Sequence, residues 1–231
     1  MSGADATQLS REGTFVQRTE AIVREKILDG SILPGMKLNE VALASALGIS
    51  RGPLREAIQH LAGEGLVTIV SHRGSFVRTF EAREVEELYD LRSAFEMYAA
   101  RLVCERAADK QLSDLDDFVS ETGDLMSAGH DGRYPRDRDF HTRLLSLADN
   151  RTLELAALET QAQISLARSI SAKVAVRAKE ALDEHADIVE ALKARSPDHA
   201  AHLVREHLAH ARRSALVALG FDDEPRKGSE T

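Results

Sequence analysis

The run from Asn39 to Gly63 restricts the fold of this chain most, because two helical periods meet there at Leu47-Gly48-Ile49. Ser50, a residue type favoured at helix N-caps, opens the second period. Pro53 falls in its first turn, where a missing N–H is tolerated. Two helices joined by a short glycine-containing turn make a helix-turn-helix. In the second helix Leu54, Ala57, Ile58, Leu61 and Ala62 share one stripe, which predicts a buried face. Arg51, Gly52, Arg55 and Gln59 share a separate arc beside it. Arginine can grip a guanine edge with two hydrogen bonds and glutamine can pair with adenine, so this arc suits a reader of the DNA major groove. Both arginines also fit ordinary solvated charges, and Arg55 also fits a pair with neighbouring Glu56 or an acid elsewhere.

The flanking residues extend the pattern. Val16 to Asp29 places Val16, Ile22, Val23 and Ile27 near one helical face, and Gly30 is a stop. Pro34-Gly35 marks a turn before the helix-turn-helix. After Gly65, LVTIVSHRGSFVRTF alternates around Ser71 to Gly74, which predicts a two-stranded hairpin with His72 and Arg73 at its tip. Such a hairpin is a wing.

A net charge of −8 seems unsuited to a nucleic-acid partner. The average conceals a division, since residues 1–79 hold nine Lys and Arg against eight Asp and Glu, and the acidity belongs to the rest. The chain is expected to divide into a tail at 1–13, a DNA-binding domain at 14–79, a helical domain at 80–220 and a tail at 221–231, with disorder in the polar tails. There is no run of about 18 apolar residues and no signal-peptide pattern at the N-terminus, and a cytoplasmic location is expected. The single cysteine, Cys104, sits in an apolar helical pattern and reads as a small buried residue.

The segment from Gly30 to Val77, with its LPG, LNEVALASALGIS, RGPLREAIQHLAGEGLV and RGSFV elements, resembles the winged helix-turn-helix of GntR-type bacterial transcription regulators. The resemblance implies that Ser50, Arg51, Gly52 and Arg55 lie at the DNA, with His72, Arg73 and Gly74 at the wing. One departure is that some members carry arginine after the glutamate of the second helix, whereas here Val41 follows Glu40.

Beyond residue 80 six helical segments are expected, at 81–108, 113–128, 135–148, 152–172, 176–195 and 197–219, making an all-helical bundle. In the third of these, Asp137 and His141 fall on the inward stripe of Phe140, Leu144, Leu145 and Ala148. His185 centres the stripe of the fifth and His207 that of the sixth, whereas His202 and His210 fall on the charged face. Three inward histidines and an aspartate suit a divalent transition metal such as zinc, nickel or manganese, since helical bundles build such sites from facing side chains. A hydrogen-bonded core network is the other reading.

LYDLRSAFEMYAARLV, DRDFHTRLLSLADN, EHADIVEAL and REHLAHA resemble the FCD domain, the effector-binding bundle of the FadR subfamily of GntR regulators. This resemblance spans roughly residues 81–218 and implies a metal held by Asp137, His141, His185 and His207, with a small organic acid completing its coordination. Six helices place the chain nearer the VanR-like branch. Arg92 lies on the stripe of Val85, Leu88, Phe95 and Ala99, where burial demands a carboxylate partner. That partner is either Glu96 one turn on or an effector. Asn150 is either an effector contact or a cap before the fourth helix.

The expectation is therefore a mainly α, non-enzymatic, ligand-responsive repressor. A homodimer would read a pseudo-palindromic operator and release it when a small carboxylate binds at the metal. A metalloenzyme would need a general acid or base beside the metal, and none stands out; an architectural DNA binder would have a bundle that only dimerises.

Overall fold

The computed structural model describes residues 15–128, 139–171 and 175–221. Of the tails expected to be disordered, residues 1–13 and 222–231 lie outside these, as does Asp137, whereas Phe221 is described and its N–H bonds Leu216 O at 3.0 Å. The described residues form nine helices and one antiparallel hairpin, grouped into two compact units that divide between Thr79 and Phe80.

The first unit runs α1 (Phe15–Leu28), α2 (Glu40–Leu47), α3 (Arg51–Gly63), β1 (Val67–Val70) and β2 (Gly74–Val77). Asn39 starts α2 by accepting from the Ala42 N–H at 3.1 Å. Gly48 ends it at φ 64°, a left-handed conformation that costs a residue without Cβ nothing. The break between the two helices is thus built from cap chemistry. Ser50 occupies the N-cap position of α3, yet its side chain makes no capping hydrogen bond. The third helical residue is Pro53, which has no N–H to offer it.

Leu54, Ala57, Ile58 and Leu61 are buried on α3, which packs against α1, where Val23 and Ile27 are buried. Each fully buried leucine contributes roughly 1.5–3 kcal/mol by leaving water, so this stripe fixes which face of α3 remains outside. Arg51, Gly52, Arg55 and Gln59 are all exposed. In the hairpin Val67 pairs with Val77 and Val70 with Gly74. Residues 35–38 run alongside β2, joined by Leu38 N–H to Ser75 O at 2.8 Å and Val77 N–H to Met36 O at 2.9 Å.

The second unit consists of α4 (Ala82–Arg106), α5 (Asp109–Ala128), α6 (Phe140–Leu147), α7 (Arg151–Ser171), α8 (Ala175–Lys193) and α9 (Pro197–Ala218). α4 is central, packing along α9 and touching α6, α7 and α8. Glu81 and Glu84 start it as a reciprocal capping box, and Pro197 opens α9 where a proline is tolerated. The core is built from Val103, Leu115, Phe118, Phe140, Leu144, Val189, Leu192, Val204 and Leu208, with alanines between them. Cys104 belongs to this core.

The third segment of the bundle departs from expectation. α6 begins at Phe140 rather than at residue 135, because Asp139 is its N-cap in extended backbone, accepting from the His141 and Thr142 N–H groups at 3.1 and 3.4 Å. Asp137, expected one turn before His141, lies outside the described residues. No helix of the described residues is long and apolar enough to cross a membrane.

Candidate metal centre and DNA face

Inside the second unit His141 of α6, His185 of α8 and His207 of α9 converge, each at most 3% exposed. One ligand nitrogen from each lies within 4.8 Å of the others. The His141 and His207 Nε2 atoms are 3.3 Å apart, and the His185 ring stacks on Phe140 at 4.2 Å between centroids.

The opposite edges of two rings are held by carboxylates. His141 Nδ1 lies 2.7 Å from Glu96 Oε2, and His207 Nδ1 lies 2.6 Å from Glu184 Oε2. Each carboxylate also accepts from an arginine: Glu96 from Arg92 Nε at 2.6 Å, Glu184 from Arg177 Nη2 at 2.8 Å. With donor-only arginines on the carboxylates, the imidazoles donate their Nδ1–H groups. Two neutral rings donating in this way would turn their Nε2 lone pairs toward each other across 3.3 Å. Two acceptors so placed repel unless a cation lies between them, and nitrogens bound about 2.0–2.1 Å from a tetrahedral zinc stand about 3.3 Å apart. The donor set fits a divalent transition metal.

Burial pushes the His207 imidazole below its ordinary value, more than the hydrogen bond and charge of Glu184 raise it, and Arg92 and Arg177 push it further down. The shift favours the neutral ring, the form a metal ligand takes. Burial works to raise the Glu184 carboxyl, but hydrogen bonds from His207, Arg177 and His210 outweigh it and hold the group at about 2. For both groups the unfolded chain binds more protons than the folded one. The metal-free protein should therefore hold its full stability above about pH 6.5 and lose it as pH falls, first below the ordinary histidine value of 6.5 and then below the ordinary carboxylate value of 4.5. Urea unfolding at pH 7.5 and 5 checks this. A midpoint that rises on acidification contradicts it.

Arg92 is fully buried, with its Nη1 and Nη2 atoms making no hydrogen bond within the described residues, while Nε holds Glu96. The sequence reading that pairs it with Glu96 one turn on is met at Nε. The Asp139 carboxylate is close enough to favour the charged Arg92, and its Oδ2 accepts from Gln161 at 3.1 Å. Asn150 is the cap of α7, its Oδ1 accepting from the Leu153 N–H at 3.1 Å. His210, expected on the charged face, is partly exposed but also bonds Glu184 at 2.6 Å.

In the first unit an open groove of about 650 Å³ lies between α3 and the wing, lined by Arg51, Arg55, His72, Arg73 and Gly74. Gln59 and His72 are exposed, and His72 takes φ 58° at the hairpin turn. Gly74 sits at φ 103°, and a Cβ there would come within 2.9 Å of Lys37 Cε. Lys37 also lines this groove and was not among the residues expected from sequence, since a lone lysine before a helix carries no pattern. Arg51 and Arg55 are paired with an acid elsewhere, Glu40, rather than with Glu56.

Comparison with known proteins decides the family. Residues 15–77 match the bacterial regulatory proteins of the gntR family, and residues 87–210, more than half the chain, match the FCD domain. The chain belongs to the GntR family and carries an FCD domain. It is 35% identical over 175 residues to the Nta operon transcriptional regulator of Aminobacter aminovorans, covering 76% of this chain and 82% of that protein. It is 30% identical over 215 residues to the probable D-xylose utilization operon transcriptional repressor of Paenarthrobacter nicotinovorans, covering 89% and 90%. Among solved structures, a GntR transcriptional regulator from Rhodococcus sp. RHA1 superposes with a TM-score of 0.72 at 26% identity, over 87% of this chain and 97% of that one. This GntR protein is a transcription regulator, and its families and relatives are regulators rather than enzymes.

Proposed function

We propose that this GntR regulator is a repressor whose FCD bundle holds a divalent metal, zinc first among the candidates with nickel and manganese, and a small carboxylate that loosens its grip on the operator. The carrying observation is the pair of carboxylate-braced imidazoles whose Nε2 atoms stand 3.3 Å apart, completed by buried His185. His141, His185 and His207 would hold the metal, with Asp137 as the fourth ligand. A divalent ion there would supply a Lewis-acid centre for a carboxylate oxygen. Arg92, buried and with both Nη groups open to an anion, would bind and orient the acid, which leaves Asn150 to its role as a cap.

The output end would be the exposed arc of Ser50, Arg51, Gly52, Arg55 and Gln59 with the wing residues His72, Arg73 and Gly74, joined by Lys37. Two such faces in a cytoplasmic homodimer would read a pseudo-palindrome with recognition helices roughly 34 Å apart. Acid binding and DNA binding are then reciprocally coupled.

Elemental analysis tests the metal assignment. The wild-type chain should retain metal through gel filtration, and His141→Ala and His185→Ala should each lose it. Unchanged stoichiometry in both variants would sink the ligand set.

A further inference from the structure

We propose that Glu40 is a positioning residue for operator reading, holding Arg55 in the orientation that recognises a guanine edge. This rests on the DNA-facing reading of α3. Glu40 is the first residue of α2, where a carboxylate is favoured by the positive end of the helix. Its Oε2 accepts from Arg55 Nε at 2.8 Å and lies 3.9 Å from Arg51 Nη2. One oxygen of the helix before the turn therefore gathers both arginines of the helix after it.

Glu40 lines a groove shared with Lys37, Arg51, Arg55 and Arg73. A carboxylate in such a groove reduces attraction for phosphates, so general DNA affinity does not account for its place there. Orientation does. The side chain of Arg55 is 59% exposed and would otherwise sample many rotamers, whereas Glu40 is only 22% exposed. The bond to Glu40 uses Nε, and the two Nη groups keep the paired geometry that matches guanine O6 and N7. An arginine already held loses less freedom on binding DNA, and loses it equally for every sequence only if it reads none.

The test uses the full-length protein and a duplex selected by it from a randomised pool, with a random duplex as reference. Glu40→Ala removes both the charge and the acceptor, while Glu40→Gln removes the charge and keeps an oxygen that can accept from Arg55 Nε. The Glu40→Ala variant should lose about three- to tenfold in discrimination between the two duplexes, the amount expected from freeing one immobilised side chain. The loss should centre on one base position, Glu40→Gln should retain most of the discrimination, and Glu40→Ala should change nothing further in an Arg55→Ala background. If both Glu40 variants instead tighten the two duplexes alike, Glu40 acts by charge alone and the proposal is overturned. A loss that persists undiminished without Arg55 overturns it equally. Wild-type affinity of Arg55→Ala for both duplexes would remove the DNA-facing reading and the proposal with it, whereas discrimination lost in Arg55→Ala but kept in Glu40→Ala removes only the proposal.

Discussion

Replacing Glu96 with alanine should destabilise the FCD bundle by about 3–5 kcal/mol, the cost of leaving a buried charge without its partner. Glu96 stands between Arg92 and His141, and its side chain and that of Arg92 are each only 2% exposed. Its removal strands the Arg92 guanidinium, whose Nη atoms are already without hydrogen bonds among the described residues, and frees the His141 ring to turn. Glu96→Gln keeps the volume and one acceptor and should cost less. An Arg92→Met, Glu96→Met double variant should recover much of the loss, since apolar packing replaces a buried pair well. Denaturant unfolding of the metal-free proteins measures all three. A loss below about 1 kcal/mol for Glu96→Ala, the range of an exposed pair, would show that the triad is not the buried network described.

Metal should produce the other large effect. A ligand that binds only the folded chain stabilises it by about 4 kcal/mol at a thousand times its Kd, which for a domain of this size is roughly 8–16 °C in unfolding temperature. Zinc added to chelator-treated wild-type protein should give a shift of this order, and the same zinc should do little for His207→Ala. A comparable shift in His207→Ala would place the binding elsewhere.

Much of the fold was legible because each unit has one inward face per helix. The stripe from Leu54 to Leu61 and the inward placement of His141, His185 and His207 are consequences of helical period, and all are buried as expected. The start of α6 was not legible. Asp137 and Asp139 offer equal cap chemistry, and only the hydrogen bonds from His141 and Thr142 show that Asp139 caps α6. The missing cap bond of Ser50 could have been read from Pro53, two residues past the start of α3.

Partners across helices were the least visible. Glu184 precedes His185 and reads as a solvated residue, yet it holds His207 and His210 from a neighbouring helix. Glu40 reads as an ordinary helix start, although it lies 2.8 Å from an arginine fifteen residues on. Periodicity reports which face a residue occupies, not what stands opposite it. For Arg92 the sequence left two partners open, and the structure fills Nε with Glu96 while both Nη atoms keep their capacity to donate.

In the function proposed above, the FCD site governs the DNA face through metal and a small acid. The most direct measurement is the affinity of the metal-loaded protein for its selected duplex, titrated with a panel of small carboxylic acids. At least one acid should weaken binding by about 5–150-fold, the range of ordinary allosteric coupling, and the response should vanish after chelation and in His207→Ala. An acid response that survives both treatments, or operator affinity untouched by every acid in the metal-loaded protein, would contradict the account.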